Sequence, residues 1–236
     1  MPIKTLLPSF AAAAFVLTSP AYATLQLNAD VGGVSLVCAD QQACDQDPTV
    51  GELQLANQVV NGVEITGSFH RSVSGVPNIL SSNSTSVINK SGASRTITVA
   101  VSDTDFTPPV GAEAFSGSGT WLEAAGSTIN MAWYLDPANT QGANSPTDAP
   151  GTLLGTLQDT AVGRTSSFNQ TQSASVVANG PFSMTELFEF TLDAAVGSAL
   201  TSRGQTLVAS PVPEPASLLL FGAGLLGMGF VRRRTR

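Results

Sequence analysis

Positive charge is scarce in this sequence. Between residues 24 and 211 only Arg71, Lys90, Arg95, Arg164 and Arg203 are basic, against 16 acidic side chains, which leaves that stretch near −11. A field of that sign repels phosphate backbones and anionic polymers, so nucleic acid is excluded as a partner. Histidine occurs once, as His70, and any Ser-His-Asp arrangement would have to use it. No G-x-S-x-G elbow, Walker loop, Rossmann fingerprint or H-E-x-x-H pair is present. Helical periodicity is missing from the same stretch, and long apolar runs occur only towards the two ends.

What the stretch does contain is alternation. Leu25–Val31, Glu52–Ala56, Val63–Phe69 and Arg95–Ser102 place apolar residues on one face and polar residues on the other. Asn61-Gly62, between Val59-Val60 and Val63, is the dipeptide that a type I′ hairpin turn demands. Further strands are expected at Phe115–Leu122, Ser127–Leu135, Ser166–Val177, Phe182–Leu192 and Gln205–Ala209. Asp136–Gly151 is rich in Pro, Asn, Gly, Ser and Thr and reads as a loop. Ser81–Ser86 and Thr165–Ser175 read as solvated strand faces. About nine or ten short strands joined by polar turns predict one all-β domain over residues 24–211, an antiparallel β-sandwich. Alternation also predicts that each sheet keeps one wet face.

Few side chains here suggest chemistry. Cys38 and Cys44 close a short loop, and in an oxidising compartment they are expected to form a disulfide. Asp45, Asp47 and Glu52 are the best candidates for a calcium site, since calcium takes several oxygen ligands, but aspartates are also ordinary turn formers. The loop lacks the glycine and the ligand ladder of an EF-hand, so the expectation is that no cofactor is held there. Asp103-x-Asp105 is a weaker cluster of the same kind. A glycosidase-type carboxylate pair would draw on Glu113, Glu123, Asp136 or Glu186, and nothing in the sequence selects two of them. Trp121, Trp133 and Tyr134 could build a sugar-stacking platform, but their alternation favours core packing for the tryptophans.

The ends carry an address. Lys4, an apolar run through Leu17 and the small residues of Ala21-Tyr22-Ala23 have the order of a secretory signal peptide, residues 1–23, cut by signal peptidase after Ala23. Towards the other end, Pro213-Glu214-Pro215 precedes the uncharged segment Ala216–Val231, followed by Arg232, Arg233, Arg234 and Arg236. As a helix, 16 residues reach about 24 Å, short of the ~30 Å hydrocarbon core. Snorkelling arginines extend the span and hold that flank in the cytoplasm, with the body outside.

Val212-Pro213-Glu214-Pro215-Ala216-Ser217-Leu218-Leu219-Leu220-Phe221-Gly222, with the arginine cluster behind it, resembles the PEP-CTERM sorting signal of Gram-negative bacteria. The resemblance covers residues 212–236. It implies recognition of Pro213, Glu214 and Pro215 by an exosortase, a transmembrane helix with a membrane stop, removal of that tail, and delivery to the envelope or an extracellular polymer matrix. Ile97–Thr107 and Pro181–Glu186 resemble segments of other exported proteins of this kind. The physics is compatible, because two prolines keep the motif extended and leave Glu214 as its single charge.

The reading at this level is a non-enzymatic exported protein. It is transiently held in the membrane, then placed at the cell surface or in the extracellular matrix with a structural or adhesive role in biofilm or floc. The alternatives are a secreted carbohydrate-binding module, stabilised by calcium and partnered by extracellular polysaccharide, or a carboxylate-pair hydrolase.

Overall fold

A computed structural model describes residues 24–72, 78–107 and 112–209. The segment expected to be a signal peptide, residues 1–23, and the Pro-Glu-Pro tail lie outside the described residues. Twelve strands are described: β1 Gln26–Val31, β2 Val34–Ala39, β3 Glu52–Val60, β4 Val63–Arg71, β5 Asn78–Asn89, β6 Arg95–Phe106, β7 Ala112–Leu122, β8 Thr128–Asp136, β9 Thr152–Thr160, β10 Thr165–Ala174, β11 Phe182–Leu192 and β12 Ala199–Ala209. They form two antiparallel six-stranded sheets, in the orders β2-β1-β6-β11-β8-β9 and β10-β7-β12-β5-β4-β3.

The sandwich expected from alternation is therefore present, with twelve strands in place of nine or ten. β2 and β9 were not among the expected strands, and β5 was expected only as a solvated strand face over Ser81–Ser86. β5, read as a solvated Ser/Thr stretch, instead lies inside its sheet between β4 and β12, and Ser81, Ser82 and Thr85 are buried. Neighbouring backbone and side-chain partners, not side-chain hydrophobicity, place it there: Ser82 Oγ donates to the Gly204 carbonyl and accepts from the Gly204 N–H. The loop expected over residues 136–151 does join β8 to β9.

The core lies between the sheets. Along β11 the residues Phe182, Met184, Phe188, Phe190 and Leu192 alternate inwards, facing Trp121, Phe115 and Trp133 from the neighbourhood. Phe115 stacks on Trp133 at 5.0 Å between centroids. Truncating one such aromatic to alanine costs about 3–5 kcal/mol. Asn61 and Gly62 turn β3 into β4 with φ of 44° and 78°, the positive values that select this dipeptide.

The two ends of the sandwich are distinct. At one end sit the hairpin turns: Asn61 Nδ2 donates to the Val31 carbonyl, the Asn89 N–H to Ser198, and the Ala161 N–H to Ser127. At the other end β1 begins and β12 finishes. There Ala209 lies opposite Ala112, Val208 opposite Asn78, and Asn78 Nδ2 donates to the Thr107 carbonyl at 2.7 Å. Gln26 at the head of β1 is tied into the same end by a 2.8 Å bond to Ala143.

Candidate functional site

The acidic loop between β2 and β3 is built by its own carboxylates. Asp45 accepts the N–H groups of Gln41, Asp47 and Gln54 at 3.0, 2.9 and 2.9 Å. Asp47 accepts the Thr49 N–H at 2.8 Å, and that bond holds its carboxyl below the usual carboxylate range. Glu52 faces His70 Nδ1 at 3.6 Å, and both side chains are partly exposed. Cys38 and Cys44 are joined, with Cα atoms 5.8 Å apart, so the expected disulfide is present and ties the loop to β2. Asp45 and Asp47 therefore act as turn formers and Glu52 pairs with His70. Among the described residues no three His, Cys, Asp or Glu side chains converge as a metal-holding group.

The sandwich interior holds acids that the sequence analysis could not place. Asp103 on β6 is fully buried and pairs across the sheets with Arg71 on β4 at 3.0 Å. Burial raises its carboxyl to about 6, with Asp40 adding to the rise, and the Arg71 guanidinium and the Thr104 N–H only partly oppose it. Glu186 points inwards from β11, accepts Thr206 Oγ1 at 3.3 Å, and is raised to about 8 by burial; Ser82, Thr206 and Trp133 oppose that rise. Glu113 on β7 is 1% exposed, has neither carboxylate oxygen hydrogen-bonded, and burial raises it to about 8.

The four carboxylates named as candidates for a hydrolytic pair fall in three settings. Glu113 and Glu186 are in the core. Glu123 lies at the hairpin end, bonded to Arg164 at 2.7 Å. Asp136 lies at the far end of β8, accepting the Ala138 and Thr140 N–H groups; these outweigh partial burial and hold it below the usual range. Trp121 and Trp133 are fully buried, as their alternation indicated, and Trp121 Nε1 donates to Asp159 at 2.7 Å.

One concavity lies on the outer face of the first sheet. It encloses about 300 Å³ and is lined by Thr128, Asn130, Gln158, Thr160, Glu189 and Thr191, among others. Pairing aligns these residues: Glu189 faces Asn130, which faces Gln158, while Thr191 faces Thr128, which faces Thr160. Asn130 Nδ2 donates to Glu189 at 3.2 Å, while Asn130 Oδ1 is shielded and has no partner. The 136–151 loop folds over the same face nearer the tail end. There Gly142 donates to Ser102 Oγ at 3.0 Å and Ser183 Oγ donates to the Thr140 carbonyl at 2.7 Å. The groove is a row of amides and hydroxyls with two carboxylates, Glu189 and Asp159, and one apolar side chain, Ile129, suited to polyhydroxylated ligands and unsuited to phosphates.

An all-β body with polar outer faces and a stapled loop is the architecture on which the end segments act. Residues 211–234 match the family model of the PEP-CTERM protein-sorting motif. The chain is a PEP-CTERM sorting domain-containing protein, and that motif marks an exported protein processed by an exosortase. No curated protein matches the chain. Among solved structures, it is similar to TmCBM61 in complex with β-1,4-galactotriose at 11% identity and a TM-score of 0.31, covering 66% of this chain and 99% of that one. The enzymatically active domain of bacteriophage CBA120 tailspike protein 4 is 14% identical, with a TM-score of 0.26 and coverage of 61% and 20%. Arthrobacter globiformis T6 isomalto-dextranase complexed with panose is 16% identical, with a TM-score of 0.25 and coverage of 66% and 23%. Scores of this size establish no shared function.

Proposed function

We propose that the protein is cut after Ala23, held in the inner membrane by Ala216–Val231 with Arg232, Arg233, Arg234 and Arg236 inside, and sorted by exosortase at Pro213-Glu214-Pro215. Its destination is the cell surface or the extracellular matrix, where its role is structural or adhesive. It is not an enzyme. The observation that carries this reading is the match of residues 211–234 to the sorting motif; β1 starts and β12 ends at the same end of the sandwich, which suits a single membrane-proximal end. A body tethered there turns its hairpin end away from the membrane and keeps both sheet faces accessible. Deleting the gene and scoring matrix retention and aggregation tests the role: an unchanged matrix rejects it.

A second reading rests on the groove. Its amide and hydroxyl lining, with Glu189 and Asp159 as further acceptors, favours binding of a neutral polysaccharide. Retention of the exported protein on neutral polysaccharide, lost in Asn130→Ala, supports it; equal retention of both forms rejects it.

A further inference from the structure

Two open sheets present four edges, and an edge strand offers unpaired N–H and C=O groups to any chain that can lie beside it. Here the edges are β2 and β9 in one sheet and β10 and β3 in the other. Three of them are guarded. The edge of β3 is covered by the acidic loop: Gln46 N–H donates to the Gln54 carbonyl at 2.9 Å, Asp45 accepts the Gln54 N–H at 2.9 Å, and Asp45 bridges Leu55. β3 is also bulged between Leu55 and Gln58. The edge of β9 is capped by side chains from across the sandwich, with Gln170 Nε2 on the Gln158 carbonyl and Gln172 Nε2 on the Thr156 carbonyl, both at 3.0 Å. β2 has only six residues, and its Cys38 is stapled to the loop.

β10 has none of these devices. It runs ten residues, Thr165–Ala174, with no charge, no proline and an unbroken register against β7. No described strand pairs with its other side. Phe168, tilted against Trp121 at 6.4 Å, and Ser166 and Gln170 point inwards yet remain only half-buried, as on a face that stops one strand short.

We propose that the free edge of β10 is a homotypic pairing surface, on which β10 of a second copy of this chain adds as an antiparallel strand. The outward row reads Thr165, Ser167, Asn169, Thr171, Ser173. In either direction it is hydroxyl, hydroxyl, amide, hydroxyl, hydroxyl. A two-fold axis through Asn169 sets Thr165 against Ser173, Ser167 against Thr171, and the inward Phe168 against Gln170, so every pair keeps its face. Hydroxyl pairs and facing amides are favourable cross-strand neighbours, whereas a charged strand would meet its own charge. The body is acidic, and copies repel one another at a distance. The edge itself is neutral, and its nearest cation, Arg164, is already bonded to Glu123. One strand pair buries little surface, so the contact is weak for two free molecules and strong for many copies held on one surface or polymer. The inference deepens the structural reading above and takes its biological meaning from it.

The test is sedimentation velocity over a concentration series, on the full-length chain in mild detergent and on the form that cells release. Asn169→Lys/Thr171→Lys adds two charges to the edge at exposed positions; Thr201→Lys/Gln205→Lys adds two to the exposed face of β12 in the same sheet as a control. The wild type and the control should approach twice the monomer mass at high concentration, and the edge variant should stay near the monomer mass. Backbone amides of β10 in the wild type should gain exchange protection as concentration rises, a readout that needs no variant. Association that survives in the edge variant, association lost equally in the control, or β10 amides indifferent to concentration each overturn the proposal. A chain that pairs through β10 but stays inside the cell rejects the sorting reading alone; a sorted chain that remains monomeric rejects this one alone.

Discussion

Arg71 and Asp103 clamp the two sheets together, Nη1 to Oδ1 at 3.0 Å, with Arg71 also lying 5.6 Å from the Phe106 ring centroid. Arg71 ends β4 and Asp103 lies on β6, so the pair joins opposite layers near the end from which the tail departs. Asp103 is fully buried and Arg71 largely so, Arg71 Nε and Asp103 Oδ2 lack partners, and desolvation therefore offsets much of the attraction. Removing one member is different from removing both. Arg71→Met should cost about 3–5 kcal/mol in denaturant unfolding, because Asp103 is left unpaired. Arg71→Met/Asp103→Leu should recover most of that loss, and a double variant as unstable as the single would show that the pair is a net stabiliser.

Stability should fall as pH rises. Glu113 and Glu186 sit near 8 and Asp103 near 6 in the folded protein, against 4.5 and 3.8 for the free groups. The folded state thus holds protons that the unfolded chain releases. Its advantage is complete below the unfolded values and is lost as pH climbs through about 4 to 8. The melting temperature should be higher at pH 5 than at pH 8.5. Glu186→Gln, which keeps the shape and removes the charge, should be more stable than wild type at pH 8.5 and should flatten the profile. A profile of equal slope in that variant would show that Glu186 contributes nothing to it.

The disulfide closes a loop of only seven residues, Cys38 to Cys44, so the chain-entropy model assigns it about 2 kcal/mol. Labelling of the denatured, unreduced protein should find no thiol. Cys38→Ser/Cys44→Ser should loosen the acidic loop and uncover β3, raising amide exchange at Gln54 before the rest of the sheet. Uniform loss of protection would mean that the loop guards nothing.

Calcium is expected to leave the protein unchanged. Asp45 and Asp47 already accept four backbone N–H groups between them, so a cation would have to break the turn to recruit them. Thermal midpoints in calcium and in chelator should coincide. A higher midpoint in calcium would establish a site in this loop.

Local signals were legible in the sequence and long-range ones were not. Asn61-Gly62 declared its turn because only that geometry needs two residues at positive φ. Alternation over Arg95–Ser102 and Phe182–Leu192 identified β6 and β11, whose burial repeats every second residue from Thr96 to Val99 and from Glu186 to Leu192 and is continuous where the 136–151 loop covers the outer face. β5 escaped because Ser81, Ser82 and Thr85 look solvated; they are buried by Gly204 and Glu186 from strands more than a hundred residues away. The partner of Asp103, Arg71, lies in the other sheet and was hidden for that reason, as was the inward turn of Glu186, which alternation along β11 permits but charge argues against. The sorting motif was legible for the opposite reason, since Pro213, Glu214 and Pro215 are contiguous and need no fold to bring them together.

The most direct measurement follows Glu214→Ala by cell fractionation and intact mass. The wild-type protein should be recovered outside the inner membrane, begin at Thr24 and lack the segment beyond the Pro-Glu-Pro motif. The variant should remain in the membrane fraction with that segment attached. A variant found in the same place and at the same processed end as wild type would contradict the account.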